Sequence, residues 1–341
     1  MEVEQNPYSA PSAHGTPGDP GSPAQTPGAS KDVLACASVQ GVVRRVVAFA
    51  VDFAPLWVLG WLPLYALHDW LAASYPWPRL AGLPAVVLYR GLCQARYGRT
   101  PGQRLLGLRV ADRRGQAPSV LQSLVRNTLL TTPLVLNGFA PPGVSLTSIP
   151  WMLFATLMVF GLGGGILYTF LFNRGTRLAL HDWLCGTFVW QAESRAPEAQ
   201  PRPLPRIHSI VVGLIALSCV VWPLVGAGLV SRGVGDLGLR PLLDFREGLL
   251  AQGRFRDVGV SYRTFYTPQR TTRVLDITLV GSFPKDQQEA IFTEINGRVR
   301  ASTGALPQAD LLVVTLSERC DLFVSSYSTT TQRSFPLSEA Q

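Results

Sequence analysis

From Val42 to Leu67 the chain runs about 26 residues with three charges, Arg44, Arg45 and Asp52. A helix of that length crosses the ~30 Å hydrocarbon core of a bilayer with room for tilt. The arginines stand at its start. Asp52 lies seven residues past Arg45, roughly 10 Å deeper and two turns on along the same face. A carboxylate at that depth is costly unless it faces protein or water. Pro55 and Pro63 predict kinks, which membrane helices tolerate.

The rest of the chain fits this start. Only 15% of the 341 residues are charged, against about a quarter in soluble domains. The net charge of +8 is uneven: residues 1–231 hold 17 basic and 10 acidic residues, residues 232–341 hold 13 and 12. The excess belongs to loops beside apolar segments rather than to a folded basic face, so no nucleic-acid partner is expected. Five cysteines, Cys36, Cys93, Cys185, Cys219 and Cys320, show no CxxC spacing, and the four histidines are scattered. Neither a disulfide framework nor a metal site is indicated, and no cofactor is expected.

Residues 1–40 are expected to be a disordered tail, because Pro, Gly, Ala and Ser dominate at its start and give no apolar face. A second span over 80–97 brings the chain back to the side it left. It carries Arg90 six residues before Arg96, roughly 9 Å from the helix end. Asp52 and Arg90 therefore lie at similar depth. Either they pair, or Arg90 snorkels to the interface. The loop Gly98–Gly115 follows, with Arg99, Arg104, Arg109, Arg113 and Arg114 against the acid Asp112. Short arginine-rich loops stay cytoplasmic, which orients every other segment. Within it Thr100-Pro101-Gly102 reads as a turn with Gly at positive φ, and Leu105, Leu106, Leu108 and Val110 as a strand.

Residues 119–138, interrupted by Arg126, are a short span, a re-entrant excursion or an interfacial helix. The uncharged loop after them and the arginines at 173–206 favour crossing. A span over 151–172 contains Gly161–Gly165, which serves close helix packing or breaks a helix at a substrate site. A Pro-rich linker at 193–206 leads to a further span, 207–230. Residues 232–341 then fall outside the cytoplasm. Their apolar spacing predicts helix 242–252, strands 258–266 and 273–283, helix 287–300, and strands 310–317 and 320–328: an α+β domain with its helix on an antiparallel sheet.

These motifs together resemble the RDD family of bacterial and archaeal membrane proteins, over about residues 40–192. Arg45, Ala48 and Asp52 match its first motif. Gly98, Thr100, Pro101, Gly102, Arg104, Leu105, Leu106, Gly107 and Val110 match its loop signature. Arg126 and Asn127 match the next helix; His181 and Asp182, with Gly186 and Thr187, match the last motif. The resemblance implies a multi-pass α-helical protein of the bacterial inner membrane, with transport of unidentified ligands as one proposed role. Gln103 replaces the family's usual Lys, and Gln94 stands where an acid is common; both weigh against movement of cations or protons.

Two functions stay open. In one, Asp52, Arg90, Arg126 and Asp182 line a path for a small ion or solute, with a homo-oligomer supplying what a few spans cannot. In the other, the same charges hold the helices together, and the outer domain binds an extracytoplasmic partner. An enzyme is not expected, since no nucleophile with a base and no paired carboxylates stand out.

Overall fold

The computed structural model describes residues 29–142, 144, 148–173, 178–191, 204–236, 240–302 and 304–337. Among the described residues three helices are long and apolar enough to cross a membrane: Gly41–Ala66 within α1 (Ala29–Ala66), α6 (Ile149–Phe172) and Arg206–Gly228 within α8 (Arg206–Asp236). α1 begins earlier than expected. Leu34, Ala35 and Ala37 favour a helix and no Gly or Pro interrupts 29–40, so the last part of the expected tail is helical. Residues 1–28 and 192–203, and with them most of the expected linker, lie outside the described residues.

A short helix α2 (His68–Ala73) leads to α3 (Pro78–Tyr97). α5 (Val120–Leu136) packs on α3, where Gly91 leaves room for Leu124. Both helices stand where spans are expected, yet neither belongs to the three apolar ones: α3 carries Arg79, Arg90 and Arg96, and α5 is short and carries Arg126. α6 is continuous, with a π-helical stretch at Leu157–Leu162 instead of a break. Its glycines serve close packing: side chains at Gly163 and Gly165 would crowd Pro133 and Leu180.

The Thr100 segment corrects the expected turn and strand. It opens a helix, α4 (Pro101–Leu105), and the strand β1 starts only at Leu108 and ends at Asp112. Thr100 caps the Gln103 N–H while the Gln103 side chain accepts from the Thr100 N–H, and Pro at the first position suits a helix start. β1 pairs antiparallel with β2 (Thr187–Gln191), which follows the six-residue helix α7 (Leu180–Cys185). This ribbon carries the His181-Asp182 segment up against the arginine-rich loop.

The C-terminal region starts at α9 (Arg240–Leu250), since α8 runs on to Asp236. It continues through β3 (Asp257–Tyr266), β4 (Thr271–Val280), α10 (Lys285–Ala301), β5 (Leu311–Asp321) and β6 (Ser326–Pro336). The sheet order is β3-β4-β5-β6, and β4 and β5 are parallel. The sheet is thus mixed rather than antiparallel, because the crossover through α10 returns the chain in the same direction. Leu275, Ile277, Leu279, Leu312, Val314 and Leu316 form one apolar face of the sheet, and Ile291, Phe292, Ile295 and Val299 of α10 complete its core.

The last two strands run past the expected boundary, and their tip leaves the sheet. Leu322–Ser325 seats on α1 and α3, in the place left by Gly60 and Gly82. A Cβ on Gly60 would overlap the Ser325 hydroxyl, and one on Gly82 the Leu322 carbonyl. Ser325 Oγ donates to the Trp57 carbonyl at 2.6 Å. Phe323, in the left-handed region at φ 65°, meets the Phe53 ring edge-on at 5.7 Å. Arg79 pairs with Asp321 and donates to the carbonyls of Val135 at 2.7 Å and Asn137 at 2.8 Å. One guanidinium therefore ties the tip to the end of α5, where helix carbonyls lack partners. Cys320 is buried beside Leu64, Leu71 and Ala72. Burial, with Glu318 and Asp69 nearby, pushes its thiol up to about 11.

This seating makes Cys320 a reporter of docking. In the wild-type chain its alkylation at pH 8, followed by peptide mass mapping, should be slow. Gly60→Val or Gly82→Val should speed it at least tenfold, because the tip no longer fits.

Candidate functional site

Two aspartates, three arginines and three amides form one buried network around α3, α4 and α5. Asp52 stands on α1. Its Oδ1 accepts the Gly102 N–H at 2.8 Å; its Oδ2 accepts from Arg90 Nη1 at 2.8 Å and Thr100 Oγ1 at 2.5 Å. Asp52 and Arg90 do meet, 2% and 4% exposed, rather than Arg90 snorkelling. Gly102 is required for space and not for a positive φ: a Cβ there would overlap the Ala48 carbonyl and crowd Asp52. The Arg90 guanidinium lies over the Phe49 ring, 4.9 Å from its centroid.

Gln94 joins this pair to the second one. Arg90 Nε donates to Asn127 Oδ1 at 3.2 Å, and Asn127 Nδ2 donates to Gln94 Oε1 at 2.9 Å. Gln94 Oε1 also accepts from Arg126 Nη1 at 3.2 Å, while its Nε2 faces Gln103 Oε1 at 3.4 Å. A carboxylate at position 94 has no donor for Gln103. The two glutamines are therefore neighbours, and each is used: Gln94 as the junction and Gln103 as the α4 cap.

The second pair sits on α5 and α7. Arg126 Nε donates to Asp182 Oδ1 at 2.8 Å, and its Nη2 lies 2.7 Å from the same oxygen. Arg45 Nη1 lies 4.0 Å from Asp182 Oδ2, and Arg45 Nη2 donates to the Val189 carbonyl on β2 at 2.8 Å. Burial alone would push the Asp182 carboxyl up; Arg126, His181 and Arg45 outweigh it and hold the group down to about 2. His181 is buried beside it. Burial lowers its pKa to about 4, against the pull of Asp182 and with Arg126, Arg45 and Arg90 adding to the drop. Among the described residues His181 Nδ1 has no hydrogen-bond partner.

The remaining motif residues act on the backbone or face out. Gly98, at φ 69°, ends α3, and its carbonyl accepts the Val110 N–H at 2.7 Å. Gly107, at φ 64°, turns the chain from α4 into β1. Pro101 and Arg104 are exposed and stay outside the network. Sequence reasoning missed the tip of the β5–β6 hairpin and its partner Arg79.

Beside the network lies a cavity of about 520 Å³. Arg45, Arg90, Arg126 and His181 line one end; the walls are mostly apolar. Among the described residues no group of His, Cys, Asp or Glu is arranged to hold a metal ion.

Breaking one partner of a buried pair leaves an uncompensated charge, at a cost of roughly 3–5 kcal/mol. Asp52→Asn should lower stability by about that much in detergent unfolding, and pairing it with Arg90→Met should recover part of the loss. A pH series isolates His181. Its folded pKa lies below the ordinary 6.5, so between pH 6.5 and about 4 the unfolded chain binds a proton that the folded one does not. Stability should be full above pH 6.5 and fall as pH drops to about 4, by on the order of 3 kcal/mol. The Asp182 contribution persists through that window and is lost only from about 3.8 down to about 2. His181→Gln should flatten the curve between pH 6.5 and 4.

No curated protein and no solved structure matches the chain. Residues 39–186, which hold both aspartates with their arginine partners, match the model of the RDD family.

Proposed function

We propose that the chain is a non-enzymatic membrane scaffold, in which the charges of the RDD domain are a structural lock and the C-terminal domain binds a partner outside the cytoplasm. The observation that carries this reading is the occupancy of Asp52. Both its oxygens accept from protein donors, three bonds in all. A passing cation gains nothing there without displacing Arg90. The lock holds α4 on α1, and the hairpin tip holds the C-terminal domain on α1 and α3. The arginine-rich loop faces the cytoplasm under the charge rule. The tip grips the opposite ends of α1 and α3, which favours an extracytoplasmic C-terminal domain. There β6, an edge strand with mostly exposed side chains, is available to a partner.

Transport of a small ion or solute is the second reading. The cavity that reaches Arg90 and Arg126 favours it. Flux in proteoliposomes separates the two. The scaffold reading expects sodium, potassium and proton flux equal to protein-free vesicles, unchanged by Asp52→Asn. A wild-type flux abolished by Asp52→Asn would replace it with transport. For topology, Arg114→Cys should resist an impermeant thiol reagent on whole cells and Thr271→Cys should react.

A further inference from the structure

The turn after β1 carries two arginines that the buried network does not use. Arg113 and Arg114 line a notch of about 300 Å³ with Asp112, Gln122, Leu184 and Cys185. Gln122, in the first turn of α5, donates through Nε2 to the Cys185 carbonyl at the end of α7, at 2.6 Å. That bond joins α5 to α7 and gives the notch a fixed floor. Arg113 lies over Gly186, where a Cβ would meet its Nε at 3.0 Å. Both arginines are exposed, and among the described residues neither guanidinium has an ion pair or a hydrogen bond. The acid beside them serves the turn instead: Asp112 Oδ1 accepts the backbone N–H groups of Arg114 at 2.8 Å and Gln116 at 2.9 Å. Two cations in the lining thus meet one carboxylate.

The surface next to the notch is apolar and turned outward. Leu121 and Val125, one turn apart on α5, are 72% and 43% exposed, and Leu184 on α7 is 51% exposed. Facing water, such side chains forgo the free energy of burial; facing acyl chains, they do not. Leu121 precedes Gln122 and Leu184 precedes Cys185, the two residues that the floor bond joins. The apolar ledge therefore ends against the notch. Apolar side chains followed by guanidiniums repeat the order of a bilayer from acyl chain to headgroup.

We propose that this notch seats the phosphate of an anionic phospholipid, held by Arg113 and Arg114, with its acyl chains along Leu121, Val125 and Leu184. The planar guanidinium fork matches a phosphate in geometry. A leaflet rich in anionic lipid also attracts exposed arginines at its surface. A free phosphate shares the headgroup chemistry, but it has no use for the ledge. A lipid held in this way ties the β1–β2 ribbon to the bilayer surface. The proposal rests on the membrane setting of the chain and is independent of whether a solute crosses.

The test uses the full-length chain in a neutral detergent, titrated with dioctanoyl phosphatidylglycerol, dioctanoyl phosphatidylcholine and glycerol 3-phosphate. Native mass spectrometry reads binding, and thermal unfolding checks that each variant is folded. Phosphatidylglycerol should bind about tenfold more tightly than phosphatidylcholine at low salt, and the ratio should shrink as salt screens the exposed charges. Arg113→Gln with Arg114→Gln should remove most of that preference. It should leave the lipid-free unfolding midpoint in place, because neither guanidinium has a partner to lose. Leu184→Ser should weaken both lipids by about tenfold while keeping their ratio, since it removes acyl contact and no charge. Glycerol 3-phosphate should not compete. Equal affinity of the wild-type chain for the two lipids, an unchanged preference in the double arginine variant, or undiminished binding in Leu184→Ser would each overturn the proposal. Displacement of phosphatidylglycerol by an equal concentration of glycerol 3-phosphate would overturn it too, and would assign the notch to a soluble phosphate.

Discussion

The contact between Asp52 and the start of α4 sets the rest of the region that matches the RDD family. A carboxylate inside a low-dielectric helix cluster cannot stay ionised alone, and here it gathers a guanidinium, a hydroxyl and a backbone N–H. Each donor comes from a different structural decision. Arg90 fixes the level of α3 against α1. Thr100 and Gly102 fix the loop, because the α4 N-terminus must approach α1 closely enough for backbone to reach side chain. The approach leaves no room for a Cβ at 102.

The second pair repeats this logic with another segment. Asp182 is held by Arg126 from α5, and Arg45 ties the same neighbourhood to β2. Gln94 and Asn127, both fully buried, join the two pairs. Two carboxylates on separate segments thus answer to one set of helices. Such buried pairs are weak evidence of net stability, yet they specify register: slide α3 by one turn and Arg90, Gln94 and their partners all lose contact.

Much of this was legible before any coordinates. Apolar length located the helices 41–66, 149–172 and 206–228, and the fixed helical rise put Asp52 level with Arg90. What failed had physical causes. Thr100-Pro101-Gly102 suits both a turn and a helix start, and only the reciprocal bonds with Gln103 decide for the helix. Strand periodicity cannot tell a parallel neighbour from an antiparallel one, so it does not encode the parallel β4–β5 pairing. Leu322-Phe323-Val324 looks like the interior of a strand; its role as a wedge depends on Gly60 and Gly82, some 240–260 residues earlier in the chain. The cavity is likewise a product of how α1, α5 and α6 meet, and no local pattern encodes it.

The seating of Leu322–Ser325 on α1 also bears on the order in which the protein is made. Synthesis runs from the N-terminus, so the helix that receives this wedge leaves the ribosome long before the wedge itself. Until β5 and β6 emerge, the notches at Gly60 and Gly82 stand open, and Arg79 has only the α5 carbonyls to hold. The hairpin therefore closes over a helix made some 240 residues before it, and the nascent chain keeps that groove vacant until then.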